Sequence, residues 1–329
     1  MRLLLWGLVG LAGLIVATLL AGAIATRVVA ARVAAANPPQ GRFVEIDGGR
    51  LHVMEAGPAD APAIVLLHGA SGSAADSMGA LGRRLAERWR VIAVDRPGHG
   101  WSDRITPQAA SPAVQAALIR AALDGMGVRR PVVVGHSFAG AVATAFALDQ
   151  ADALSGLVLL SPVSHPWPGG EITWYYGPAT SWWGRIFTRT LTTPVGALVI
   201  DGAADAVFHP QNAPPNYVER AQARLVLRPS AFEANARDVA GLHGFVSRQA
   251  GRYGAIRVPT VIVSGDADRI VWTDLHSRSL EREIPEARLV VIPGMGHMPH
   301  WTAVDLIAEE IARLQERIAA PAGSAARGP

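Results

Sequence analysis

Hydrophobic positions follow two regimes along the chain. From Leu3 to Ala25, 23 residues pass without a charged side chain, and Thr18 carries the one hydroxyl. As a helix this run is about 35 Å long, enough to cross a bilayer core of about 30 Å with some tilt. A cleavable signal peptide is the rival reading. Met1-Arg2 gives a basic start, and Ala21-Gly22-Ala23 or Ala23-Ile24-Ala25 could serve as cleavage sites, but signal cores usually span about 7–15 residues. Length favours a retained, single-pass membrane anchor. Arg2 and the amino terminus flank one end, and Arg27, Arg32 and Arg42 the other. Counts so close do not orient the anchor, so the side of the membrane stays open. Asn37-Pro38-Pro39-Gln40-Gly41 reads as a short, stiff linker. Few contacts should cross it, so deletion of Met1–Arg32 is expected to leave a folded domain. The other arrangement has the apolar run packed on the body as a route for lipid substrate.

Beyond Arg42 short apolar runs alternate with amphipathic stretches. Arg42–Ile46 and Leu51–Glu55 flank Asp47-Gly48-Gly49-Arg50, a hairpin signal. Ala63–Leu67, Val91–Val94, Pro131–Val134, Leu154–Leu160, Thr260–Val263 and Leu289–Ile292 read as strands. Their continuous apolar character suits strands covered on both faces. Helical patterns fall near Ala75–Arg88, Pro112–Met126, Phe138–Asp149, Thr273–Glu283 and Ala303–Ile318. The alternation predicts an α/β fold, a mostly parallel sheet with helices on both faces.

One stretch breaks the alternation. Between Pro162 and Gly254 lie 12 of the 20 aromatic residues, among many Pro and Gly. It reads as a lid inserted over the sheet. A small lid has little interior, so some of its aromatics should face a cavity. The chain then divides into 1–36 (anchor and start of the linker), 37–162 and 255–320 (two parts of one core), 163–254 (lid) and 321–329 (a disordered tail).

Composition narrows the chemistry. A chain 50% hydrophobic and 17% charged is not a disordered protein. The net charge of +3 is more than accounted for by Arg2, Arg27, Arg32 and Arg327 near the ends. The body has no basic stripe, so no nucleic-acid partner is expected. Lys and Cys are both absent, which excludes Schiff-base and thiol catalysis and Cys-ligated metals. His297 and His300 lack a third ligand nearby in sequence, and no H-E-x-x-H occurs, so no metal site is expected. Gly98-His99-Gly100 lacks the third Gly and the strand-to-helix context of a dinucleotide fingerprint. No cofactor is expected.

Val132-Val133-Val134-Gly135-His136-Ser137-Phe138-Ala139-Gly140 carries the most chemistry. An apolar strand runs through Gly-x-Ser into an Ala-rich helix, the pattern of a nucleophile elbow. Ala139 stands at the usual second Gly position, a mild departure. Serine needs a base, itself oriented by an acid. Gly265-Asp266-Ala267-Asp268 ends one later strand, and Gly294-Met295-Gly296-His297 ends the last. Ser, acid and His thus follow in order at three strand ends, where parallel sheets bind ligands. Either Asp266 or Asp268 could orient the imidazole.

From Arg42 to Ile318 the chain resembles the α/β-hydrolase superfamily. The motifs are Leu67-His68-Gly69, Asp95-Arg96-Pro97-Gly98-His99-Gly100-Trp101-Ser102-Asp103, the elbow, Gly265-x-x-Asp268 and Gly296-His297. The resemblance implies Ser137 as nucleophile, His297 rather than His300 as base, and Asp268 rather than Asp266 as acid. It implies oxyanion donors at the backbone N–H of Ala70 and Phe138, and packing or loop-holding roles for His68, His99 and His136. Together with the N-terminal apolar run, it implies a membrane-anchored serine hydrolase that cleaves a small-molecule carboxylic ester by an acyl-enzyme route. The aromatic lid and anchor favour an apolar, lipase-like acyl substrate. Carbon–carbon bond hydrolysis, perhydrolysis, amide hydrolysis and acyl transfer are rivals on the same triad. A non-enzymatic membrane accessory module is the alternative of another class.

Overall fold

The computed structural model describes residues 1–170 and 176–320. The expected tail, 321–329, lies outside the described residues, as do Trp174 and Tyr175 of the aromatic insert. Eight strands form one sheet: β1 (Arg42–Ile46), β2 (Gly49–Ala56), β3 (Ala63–Leu67), β4 (Arg90–Val94), β5 (Val132–His136), β6 (Gly156–Leu160), β7 (Thr260–Gly265) and β8 (Arg288–Ile292). Their order is β1-β2-β4-β3-β5-β6-β7-β8. The first two pairings, β1 with β2 and β2 with β4, are antiparallel, and every later one is parallel. Strands β5, β6 and β7 are buried at every position, as the apolar runs Val132–Val134, Leu157–Leu160 and Val261–Val263 require.

Helices cover both faces. On one side α2 (Pro112–Gly125) and α3 (Phe138–Asp149) pack Ile119, Leu123, Val142 and Phe146 into the core. On the other, α7 (Val304–Ala319) buries Ile307, Ile311 and Leu314, a repeat of four and three that makes one helical face. The region expected as one helix near Ala75–Arg88 is three short pieces, with a π turn at Met78–Gly82 between two α turns. Trp301 packs directly on Gly79, where a Cβ would lie 2.2 Å from its ring. The helix near Thr273–Glu283 starts only at Ser277 (α6, Ser277–Glu283).

Between β6 and β7 the chain leaves the sheet and builds a helical cap. Its longest helices are α4 (Thr193–Phe208) and α5 (Pro229–Gln249). Leu242 and Val246 of α5 join the sheet core, so the cap is seated on it.

The N-terminal apolar run is longer than its uncharged stretch. Helix α1 (Arg2–Ala36) has 35 residues. Every side chain through Thr18 is exposed, whereas Thr26 and Val33 are buried. Val33 packs with Leu225 and Leu227 of the cap, and Gly22 lies against the backbone of Thr190. The expectation of an isolated linker is therefore corrected. Asn37 is buried and its carbonyl accepts from Trp101 Nε1 at 3.0 Å; the carbonyl of Pro38 accepts from Gln222 Nε2 at 3.1 Å. The Pro-rich segment is tied down because the helix before it already packs on the cap.

Candidate active site

Three loops at the carboxyl ends of the strands meet above the sheet. The first follows β5. Ser137 takes φ +52° and ψ −118° between strand and helix, a conformation that L residues seldom adopt. The neighbours are small for a steric reason. A Cβ on Gly135 would lie 2.4 Å from the carbonyl oxygen of Ala139, and one on Gly140 would lie 2.4 Å from Pro162 Cβ. Ala139 fits because its methyl is directed into the core, where it is fully buried.

The second loop follows β8 and brings His297 Nε2 to 2.9 Å from Ser137 Oγ. The third follows β7 and brings Asp268 Oδ2 to 2.7 Å from His297 Nδ1. The other oxygen of Asp268 accepts from the backbone N–H of Ile270 and of Val271, both at 2.9 Å. Burial works to raise the Asp268 pKa, but the hydrogen bond and charge of His297 with these two amides hold it below the usual value. Asp266 is exposed and accepts from Gly294 N–H at 2.6 Å, away from His297. His300 bonds neither Ser137 nor His297; its ring packs 4.2 Å from that of His136, and its Nε2 is 3.4 Å from Asp76 Oδ2.

A fourth loop, after β3, comes up against Ser137. A Cβ on Gly69 would be 3.1 Å from Ser137 Cβ, so the two backbones run close together. Among the described residues, neither the N–H of Ala70 nor that of Phe138 has a protein acceptor. Phe138 is the first residue of α3, whose free amides carry partial positive charge.

The loop is held from beneath by a buried cation that sequence reasoning did not single out. Arg96 Nε donates to the carbonyl of His68 at 3.0 Å, and Nη2 to that of Gly69 at 3.1 Å. Its Nη1 reaches Gln115 Oε1 and, in the cap, Asp238 Oδ2, both at 2.9 Å. Arg96 also stacks on the Phe138 ring, 4.3 Å from its centroid. Burial is the largest influence on each partner, pushing Arg96 down to about 10 and Asp238 up, and their attraction opposes it. Asn235 of α5 adds a second tie, accepting from Ser71 N–H at 2.7 Å.

The three motif histidines hold backbone. His68 Nδ1–H donates to the carbonyl of Gly69 at 2.8 Å, and its Nε2 accepts from Arg96 N–H at 3.0 Å. Burial and the charge of Arg96 lower its pKa to about 4. His136 Nε2 donates to the carbonyl of His297 at 2.9 Å. His99 packs beside His68, their rings 5.4 Å apart.

Asp76, His136 and His300 place ligand-type atoms within 4.8 Å of one another. The carboxylate already accepts from Tyr217 Oη at 3.1 Å and Trp301 Nε1 at 2.9 Å, which makes the cluster a hydrogen-bonded wall of the site.

Ser137 stands where two cavities meet. One, of about 380 Å³, runs under α4 past Tyr176, Ile200, Val207, Tyr217 and Met298. The other, of about 300 Å³, lies towards Trp167, Leu242, Trp272 and His276. Ala70 and Ile270 border both.

A family model for the alpha/beta hydrolase fold matches residues 62–304. The 2-hydroxymuconate semialdehyde hydrolase of Pseudomonas putida is 29% identical over 290 residues, covering 87% of this chain and 96% of that protein. An esterase from Exiguobacterium antarcticum superposes with a TM-score of 0.66 at 19% identity, over 84% of this chain and all of its own. A membrane phospholipase A, described as a bacterial virulence factor, superposes with a TM-score of 0.62 at 20% identity, over 97% of this chain and 99% of its own. At these identities the solved structures bear on the fold alone.

Proposed function

Since the chain belongs to the α/β-hydrolase family, we propose that it is a serine hydrolase, held to a membrane by α1, that cleaves carboxylic esters with an apolar acyl group. The observation that carries this reading is the unbroken hydrogen-bond chain Ser137 Oγ–His297 Nε2 and His297 Nδ1–Asp268 Oδ2. In the proposed reaction Ser137 Oγ attacks the ester carbonyl carbon while His297 Nε2 takes its proton. The carbonyl oxygen becomes an oxyanion, stabilised by the N–H groups of Ala70 and Phe138. His297 then protonates the leaving alcohol as the C–O bond breaks. Water repeats the sequence on the acyl-enzyme, with His297 as base, and frees the carboxylic acid and Ser137. Asp268, held ionised, keeps the imidazole in its tautomer and stabilises the imidazolium.

Two cavities converging on Ser137 suit a two-part substrate, acyl group on one side and alcohol on the other. Among the described residues the larger cavity is bordered by no Arg and by one carboxylate, Asp76. That favours an uncharged acyl chain over a carboxylate-bearing one. A second reading, carbon–carbon bond hydrolysis on the same three residues, is supported by the 29% identity to the semialdehyde hydrolase. A panel of p-nitrophenyl esters of rising chain length, with Ser137→Ala as control, tests the proposal. Turnover that rises with chain length and vanishes in the variant is expected. No ester turnover, with cleavage of a vinylogous 1,5-diketone acid, would favour the second reading.

A further inference from the structure

The cap has an outer surface that neither the core nor the cavities account for. Trp182, Trp183, Ile186, Phe187 and Leu191 are all exposed, Trp182 by 81%. Helix α4 continues the surface with Val195, Leu198 and Val199, and Leu198 is 85% exposed. Spacings of three and four place these three on one helical face. The same helix turns Ile200, Ala203, Ala204 and Val207, again spaced by three and four, into the cavity beside Ser137. So α4 is apolar on two faces, one outside and one lining the site. A soluble monomer seldom exposes a contiguous apolar patch of this kind without a partner.

The position of α1 identifies that partner. Its side chains are uncovered as far as Thr18, and at Gly22 it meets Thr190 of the cap. The exposed cap residues 182–191 therefore sit level with the point where the uncovered apolar stretch begins. No acidic residue occurs from Met1 to Val44 or from Tyr176 to Ile200. Exposed cations do occur there: Arg27, Arg32 and Arg189. The nearest acids are paired, Asp201 with Arg224 at 2.7 Å and Glu233 with Arg185 at 3.3 Å. An apolar surface edged with cations, its nearest acids neutralised, is complementary to the acyl-headgroup boundary of an anionic bilayer.

We propose that the outer face of the cap, from Trp182 to Val199, is embedded in that boundary beside α1, so that α4 separates lipid from the catalytic cavity by one helix. The ligand class of the surface is membrane phospholipid, and the substrate class it implies is an amphiphilic ester drawn from the bilayer. The surface is independent of the ester reading; only the substrate class rests on it.

The chain has no Cys, so a nitroxide can be attached at single sites in the full-length protein. Leu198→Cys and Trp182→Cys are labelled in phosphatidylglycerol–phosphatidylcholine vesicles, with exposed Asp274→Cys as reference. Oxygen, which partitions into acyl chains, should relax labels 198 and 182 several-fold more than a water-soluble nickel chelate does. The order should reverse at 274. Labels at 198 and 182 that behave like the one at 274 would overturn the proposal. In the same vesicles Leu198→Asp should lower turnover of an embedded monoacylglycerol at least tenfold and leave soluble p-nitrophenyl butyrate within twofold. Equal effects on both would overturn the route from the bilayer. Loss of all ester turnover in the unsubstituted chain would refute the ester reading and leave the labels to decide the surface.

Discussion

The guanidinium of Arg96 and the carboxylate of Asp238 lie 2.9 Å apart, and neither side chain is exposed to solvent. One belongs to the loop after β4 and the other to α5 of the cap, 142 positions later. Through this pair the cap is joined to the carbonyls of His68 and Gly69, just before the proposed oxyanion donor Ala70. Asp238→Asn keeps the shape and removes the charge. Breaking a buried pair from one side typically costs about 3–5 kcal/mol. Urea denaturation should show a loss of that order, and kcat should fall more than KM rises, because the donor rather than the binding cavity is displaced. Stability and kcat both near the unsubstituted values would contradict the role.

Helix α1 divides at Gly22. Residues up to Thr18 are exposed, whereas Thr26 and Val33 are buried, Val33 against Leu225 and Leu227 of the cap. Deleting residues 2–20 should release a folded, active body. Deleting residues 2–33 should destabilise the cap, since it takes Val33 from Leu225 and Leu227, and a buried aliphatic side chain contributes about 1.5–3 kcal/mol. Thermal melts of the two truncations compare them directly. Equal melting temperatures would mean that the packing of Val33 on Leu225 and Leu227 contributes nothing.

Acid should weaken the fold through its buried histidines. Burial lowers the pKa of His68 and His276 to about 4, and lowers those of His99 and His136 as well. The ordinary value is 6.5. Below it the unfolded chain takes up protons that the folded chain refuses, so stability is full above about 6.5 and falls towards 4. The lowered pKa of Asp268 adds a loss only under the ordinary carboxylate range. Urea midpoints from pH 7.5 to 4.5 should decline steadily below 6.5; a flat profile would contradict the neutral histidines.

The elbow tolerates a methyl at one position and not at its neighbours. Gly135→Ala would drive Cβ into the carbonyl of Ala139, and Gly140→Ala into Pro162, whereas Ala139 already carries its methyl in packed space. Both glycine variants should lose most ester turnover and melt at lower temperature, with Ala139→Gly close to the unsubstituted chain. Full activity in Gly135→Ala would show that the turn has slack.

The sheet was readable because its strands are covered on both faces, so runs such as Val132–Val134 and Val261–Val263 carry no polar interruption. Ser137, Asp268 and His297 were readable because each follows such a run. The ties among loop and cap were not. Arg96 stands in the Asp95–Asp103 motif, but its partner Asp238 is one acid on an amphipathic helix, and nothing local marks it as buried. The aromatic content of the insert predicts side chains facing a cavity. Tyr217 and Trp167 do line cavities and Phe208 is buried, yet Trp182, Trp183 and Phe187 are exposed. Composition counts aromatic residues and does not say which side of a thin layer they take. The packing of α1 was hidden for a similar reason. A run apolar all round has no face to distinguish a lipid neighbour from a protein one, and Gly22 and Thr26 at the packed end are matched in type by Gly7, Gly10, Gly13 and Thr18 at the exposed end.

The most direct test of the account is the reaction of the folded, full-length protein with a fluorophosphonate, followed by mass spectrometry of its peptides. Activation of Ser137 by His297 predicts one adduct per chain, on the peptide holding Ser137. The adduct should be absent in Ser137→Ala and form orders of magnitude more slowly in His297→Ala, because members of such a set act as a unit. A folded chain that stays unlabelled, or one labelled at another residue with Ser137 untouched, would contradict it.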